Sequence, residues 1–195
     1  MAEPLSPLGD AYRPGRHGPT SDTPGVTISE TRPGSIVQVA AWPGREASLA
    51  AVLREAAGLD LPMAPGAGTV DGFRCIFDIA PRRWLVADQA EGLGRTLAAA
   101  VAAETGTVTD LSHGRTAIRV EGERAEWVLS KLFAIDFAPA AFPFSAGRST
   151  QHHDVFAAIQ RTAPDAFDLY VFRSFARSFW TTLCHAAEET GYLVR

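Results

Sequence analysis

From Ser35 onward, apolar residues recur at two alternating periods, which divides the chain into short strands and amphipathic helices. Residues 36–40 read IVQVA, a short apolar strand ended by Trp42-Pro43-Gly44. Over 45–57, Leu49, Val52, Leu53 and Ala56 fall at i, i+3, i+4 and i+7, one face of a helix, and Gly58 supplies its stop. The Pro- and Gly-rich stretch 62–72 predicts a loop. In 73–79, Phe73, Cys75, Phe77 and Ile79 alternate with Arg74, Ile76 and Asp78, which predicts a strand with one buried face. Pro81-Arg82-Arg83 turns the chain into a hairpin partner at 84–87. A helix follows over 91–104, with Leu93, Leu97, Ala100 and Val101 on one side, then a strand over 107–111.

The order so far is βαββαβ, the split βαβ plan of ferredoxin-like folds, and it starts again. Residues 116–121 alternate as a strand, and 123–133 place Ala125, Val128, Leu129 and Leu132 on one helical face. After a loop with Pro139, Pro143 and Gly147, the stretches 155–161 and 167–172 read as paired strands. The helix 175–189 aligns Ala176, Phe179, Trp180, Leu183 and Ala187, and Tyr192-Leu193-Val194 adds a last strand. The fold class expected is α+β: two tandem ferredoxin-like units, 35–111 and 112–195. Each should have an antiparallel sheet covered by helices on one face, the two packed as one compact domain.

Residues 1–34 break the pattern. Their prolines and glycines remove backbone donors and raise the entropy cost of order, so an extended arm without regular elements is expected. Leu5, Leu8 and Tyr12 space apolar side chains along it. It reads either as a disordered tail or as an arm that orders against a partner subunit.

Composition narrows the function classes. With 195 residues, 46% apolar and 21% charged, the chain can build a core without metal or disulfide staples. A net charge of −4 and scattered arginines argue against nucleic acid, whose binders carry a basic face. Cys75 and Cys184 are far apart and outside any CxxC pair, which fits buried thiols in a reducing cytoplasm. No basic, then apolar leader opens the chain and no apolar run is long enough to span a bilayer, so a cytoplasmic protein without membrane contact is expected.

Four groups of residues invite a chemical reading. Asp110, Ser112 and His113 in TDLSHGR have the residue types of a triad. Neighbours at a strand end cannot converge in one line, and no GxSxG elbow exposes the serine, so a structural strand-to-turn junction is expected, with Asp110 and Ser112 capping local backbone donors. His152, His153 and Asp154 are metal-ligand types without the spacing of a zinc site, and adjacent histidines in an extended segment face opposite ways. Gly66-Ala67-Gly68 suggests a phosphate cradle but lacks the following Gly-Lys-Ser/Thr. Phe172, Phe175, Phe179 and Trp180 read as helix core, with any excess forming an interface. No residue is assigned a catalytic, cofactor-binding or metal-binding role.

The stretch TDLSHGRTAIRVEGERAEWVLSKLFAIDF (109–137) resembles the D-x-S-H-x-G…V-x-G-x-x-A…L segment of the aminomethyltransferase folate-binding superfamily. It is more similar to the gamma subunit of heterotetrameric sarcosine oxidase. The segments VQVAAWPGREASLAAVLREAAGL (37–59), PRRWLVAD (81–88) and FDLYVFRSFARSFWTTLCHAAEETG (167–191) resemble that subunit as well. The resemblance implies a complex of alpha, beta, gamma and delta subunits that demethylates sarcosine or a related N-methyl amine. FAD, FMN, NAD, tetrahydrofolate and zinc would sit on the partner subunits and none on this one. Active aminomethyltransferases carry Gly-Gly-x-x-Asp-Asp; STQHHDVFAAIQR (149–161) has no glycine pair and a single aspartate, Asp154. Asp168 in FDLYV could stand where those enzymes place a folate-contacting glutamate, or the strand could match an earlier, non-binding one. The leading expectation is a non-catalytic gamma-type scaffold subunit. The alternatives are a freestanding tetrahydrofolate-binding protein and a regulatory ferredoxin-like domain that binds a small ligand.

Overall fold

The computed structural model describes residues 6–19 and 23–195. Within the expected arm it places strands β1 (Gly15–His17) and β2 (Val26–Thr31). There follow β3 (Ser35–Ala41), α1 (Glu46–Ala57), β4 (Gly68–Asp71), β5 (Arg74–Ala80), β6 (Arg83–Asp88), α2 (Leu93–Ala100) and β7 (Gly106–Asp110). The second half holds β8 (Arg115–Glu121), α3 (Ala125–Ser130), β9 (Gly147–His152), β10 (Val155–Ala163), β11 (Ala166–Phe172), α4 (Ala176–Ala187) and β12 (Tyr192–Val194).

These elements form two compact units. One comprises residues 32–115 with 145–149; the other comprises 116–144, 150–195 and the described residues up to Thr31. The first holds a five-stranded sheet in the order β4-β5-β6-β3-β7, and its neighbouring strands run antiparallel. β6 lies between β5 and β3, and β3 lies between β6 and β7, so each βαβ crossover is split by one strand. The expected ferredoxin-like plan is present, with β4 added at the edge inside the stretch expected to be a loop.

On one face of this sheet, Val37, Val39, Ile76, Trp84 and Val86 pack with Leu49 and Leu53 of α1 and Leu93 and Leu97 of α2. Leu49, Leu53 and Leu97 are fully buried, so truncating any of them costs about 2–5 kcal/mol. Gly58 ends α1 with φ +64, a left-handed conformation that glycine adopts without a Cβ penalty. Helix α2 is shorter than its periodicity predicts: Val101 is already extended, and Ala100 is exposed.

β5 departs from its expected one-sided burial. Phe73 precedes the strand and is 76% exposed, whereas Cys75, Ile76 and Phe77 in sequence are all buried. Successive strand residues point to opposite faces, so three buried in a row mean that both faces of β5 are covered.

The second unit holds a seven-stranded sheet, β1-β12-β2-β8-β11-β10-β9. β2 runs parallel to β12 and antiparallel to β8, so a segment expected as arm lies inside a sheet. Its Val26 and Ile28 are buried, an alternation hidden by the Pro/Gly-rich residues around it. Leu8 is also fully buried, and Tyr12 meets Trp180 of α4 with ring centroids 5.4 Å apart. The chain's own helix therefore receives Tyr12, and Leu8 is buried within the chain; Leu5 lies outside the described residues.

Candidate functional site

The triad-like residues are committed to the backbone. Asp110 ends β7, and its Oδ1 accepts the Ser112 N–H at 2.9 Å and the Ser112 hydroxyl at 2.6 Å. The Ser112 oxygen in turn accepts the Ile36 N–H at 3.0 Å. Serine and aspartate thus fasten the exit of β7 to the start of β3, the capping expected of them. The Ser112 hydroxyl and N–H, with His113 a lesser influence, hold the Asp110 carboxyl below its usual value.

The histidine pair differs from expectation. His153 and Asp154 form a two-residue turn between β9 and β10, with His153 at φ +48. The turn brings the His152 and His153 rings to 4.4 Å, edge to face, where an extended segment would have separated them. His152 Nδ1 is 2.8 Å from the Leu132 carbonyl, so one ring nitrogen is engaged locally. Among the described residues, no group of three or more His, Cys, Asp or Glu side chains is placed to hold a metal ion.

In the glycine cluster, an arginine side chain meets the backbone carbonyls. Arg148 Nη1 donates to the Gly66 carbonyl at 3.0 Å and to the Gly147 carbonyl at 2.7 Å. A Cβ on Gly66 would stand 2.0 Å from that nitrogen. The Gly66 N–H points at the Asp78 carboxylate, 2.9 Å away, so this loop already holds its anion.

Asp168 is bound edge-on by a guanidinium. Arg119 of β8 donates Nε to Oδ1 at 2.7 Å and Nη2 to Oδ2 at 2.8 Å. The aspartate side chain is 10% exposed and the arginine 34%. The hydrogen bond to Asp168 drives the Arg119 pKa upward, over the opposing effect of burial. Each Asp168 oxygen thus accepts one hydrogen bond from the same guanidinium in a fork-to-fork pair. Asp154 is exposed in the turn before β10, six residues ahead of Gln160, the residue paired with Asp168.

The aromatic group divides as the helix face requires. Phe179 and Trp180 are buried, while Phe172 and Phe175 remain 41% and 40% exposed. Phe172 lies 6.3 Å from Phe156, making an aromatic surface near the start of α4. Cys184 and Tyr192 share a hydrogen bond beneath that helix, and burial pushes the thiol up to about 11 and the phenol up to about 12. A thiol with that pKa is almost wholly protonated at neutral pH and is a poor nucleophile.

Sequence reasoning missed Arg161, which is fully buried. Its guanidinium pairs with Glu126 at 2.8 Å, donates to the Phe137 and Pro164 carbonyls, and lies 4.5 Å from the Phe167 ring centroid. It ties α3, β10 and the loop after α3 together, with its Nε lacking a hydrogen-bond partner. The only signal in the sequence is one charge at the end of a largely apolar stretch, VFAAIQR.

Comparison with known proteins places these features in a family context. A model described as "Sarcosine oxidase, gamma subunit family" matches residues 43–189. The chain is 31% identical over 142 residues to a sarcosine oxidase subunit gamma from Corynebacterium sp. strain P-1, covering 71% of this chain and 70% of that one. A subunit gamma from an Arthrobacter species is 31% identical over 147 residues, covering 73% and 70%. Among solved structures, a chain of the heterotetrameric sarcosine oxidase from Corynebacterium sp. U-96 matches with TM-score 0.81 and 27% identity, covering 96% of each chain. The glycine cleavage system aminomethyltransferase T from Bartonella henselae shares the fold, with TM-score 0.63 and 16% identity over 87% of this chain and 47% of that one.

Proposed function

Since the chain belongs to the sarcosine oxidase gamma subunit family, we propose that it is the gamma-type subunit of a heterotetrameric oxidase that demethylates sarcosine. Its role is to assemble and stabilise the catalytic subunits by docking. Its partners are the alpha, beta and delta chains, and the complex works in the cytoplasm. Among the described residues no helix is long and apolar enough to cross a membrane. FAD, FMN, NAD, tetrahydrofolate and zinc belong, on this reading, to those partners.

The observation that carries the non-catalytic reading is the Arg119–Asp168 pair. The carboxylate that the aminomethyltransferase resemblance offers for folate is engaged on both oxygens by an ion pair within the chain's own sheet. The Asp110–Ser112 turn and the Arg148-bound glycine loop support the same reading, because their polar atoms are engaged in holding backbone.

The test is to purify the chain alone and with the larger subunits. Alone, it should be colourless, should not oxidise sarcosine, and should show no saturable quenching of its four tryptophans up to millimolar tetrahydrofolate. With the larger subunits it should co-purify as part of an active, flavin-coloured complex. Saturable folate binding or sarcosine turnover by the lone chain would refute the reading.

A further inference from the structure

We propose that the end of the five-stranded sheet carrying Trp42, Arg82 and Arg83 docks an acidic segment of one of the larger oxidase subunits. The inference rests on the assembly role proposed above and assigns it a surface and a partner chemistry.

Two turns meet at this end of the sheet. Trp42 follows β3, and Pro81-Arg82 joins β5 to β6, with Ala40 of β3 paired opposite Arg83 of β6. The Ala41 N–H donates to the Arg82 carbonyl at 3.0 Å and locks one turn to the other. The Trp42 indole N–H donates to the Ala103 carbonyl at 2.7 Å, so the ring is held while 47% of the residue stays exposed. An aromatic side chain fixed in this way presents a large contact area with little entropy left to lose on binding.

The charges here lack internal partners. Arg82 and Arg83 are exposed, and no carboxylate among the described residues lies within ion-pair distance of either guanidinium. Elsewhere in this unit Arg54 pairs with Asp60 and Arg74 with Asp88. Arg82 also has φ +62, at the position after proline where a turn of this kind usually takes glycine or asparagine. Strained backbone under a functional side chain is a recurring sign of a site, and here the side chain is an unpaired cation.

The shape fits a short peptide segment. A depression of about 500 Å³ is lined by Gln38, Ala40, Trp42, Pro43, Arg82 and Arg83, and its only charged walls are the two arginines. Across Arg82 lies a second depression of about 560 Å³, lined by the apolar Met63, Pro65, Pro81 and Trp84 and by the carboxylates Glu46 and Asp78. Asp or Glu side chains suit the first and an apolar side chain the second. Tryptophan and arginine are also the residues that dominate binding energy at interfaces. A long polyanion fits less well, because the chain carries a net charge of −4 and would repel it beyond this patch.

The experiment measures the affinity of the full chain for the larger oxidase subunits by light scattering or surface plasmon resonance, at low and at raised salt. The double variant Arg82→Gly, Arg83→Gln removes both cations, and glycine relieves the strained backbone, so the variant should fold at least as stably as the parent. Arg95→Gln, an exposed arginine on α2, is the charge control. The expected result is a tenfold or greater loss of affinity for the double variant at low salt, a smaller loss at high salt, and a change below twofold for Arg95→Gln. A loss below fivefold in the double variant, or an equal loss in the control, overturns the docking surface and leaves the subunit assignment standing. Failure of the unaltered chain to bind at all overturns both.

Discussion

Replacing Asp168 by alanine removes a carboxylate that accepts two hydrogen bonds, of 2.7 and 2.8 Å, from Arg119. The magnitude follows from burial. Exposed pairs contribute about 0–1 kcal/mol, whereas breaking a fully buried pair costs about 3–5 kcal/mol. Asp168 is 10% exposed, but Arg119 is 34% exposed and recovers part of its hydration when left alone. The loss should therefore fall between those limits, at about 2–3 kcal/mol. For a chain of this length, that corresponds to a fall of about 4–12 °C in melting temperature. Asp168→Ala, Arg119→Ala and the double variant, followed by calorimetry, complete a double-mutant cycle that isolates the coupling between the two residues. A coupling of about 2 kcal/mol is expected, with assembly unaffected at temperatures where the variants stay folded. A coupling below about 0.5 kcal/mol would refute the reasoning, because it would mean that Asp168 is not held as a structural anion.

Three other outcomes follow from the same structure. Arg161→Ala leaves the Phe137 and Pro164 carbonyls without their donor and opens a cavity, so a loss of about 3 kcal/mol or more is expected in urea unfolding. With its thiol near 11, Cys184 should react slowly with iodoacetamide at pH 7.5, and the rate should rise about tenfold per pH unit until that value. Ser112→Ala removes the hydroxyl donor that depresses Asp110, so the Asp110 titration followed by NMR should move upward. A depressed carboxyl contributes stability that is full above the ordinary carboxylate range and is lost as pH falls through the folded pKa. The variant should therefore lose stability at neutral pH and show a shallower acid limb, with the effect small because Asp110 is exposed.

Helices with three or four apolar residues on one face were the most legible elements. Leu49 and Leu53 of α1, and Phe179, Trp180 and Leu183 of α4, lie buried where the 3.6-residue period puts them. The tandem plan was legible from element order, and the structure extends it: β4 and β9 occupy the same edge place beside β5 and β10. Both were missed because their residues, GTVD and GRSTQH, carry little apolar alternation, as edge strands often do. β2 was missed for another reason: three alternating residues were outweighed by flanking proline and glycine. Side-chain pairing between distant segments, as from β8 to β11 in Arg119–Asp168 or from α3 to β10 in Glu126–Arg161, joins residues 35 to 49 positions apart, and local spacing carries no trace of it.

Size-exclusion chromatography with multi-angle light scattering on the chain co-expressed with the larger oxidase subunits tests the central claim directly. The account predicts a single flavin-coloured species containing one copy of this chain per assembly, and loss of that species when the chain is left out. A chain that elutes by itself, beside an oxidase that assembles and turns over sarcosine fully without it, would contradict the account.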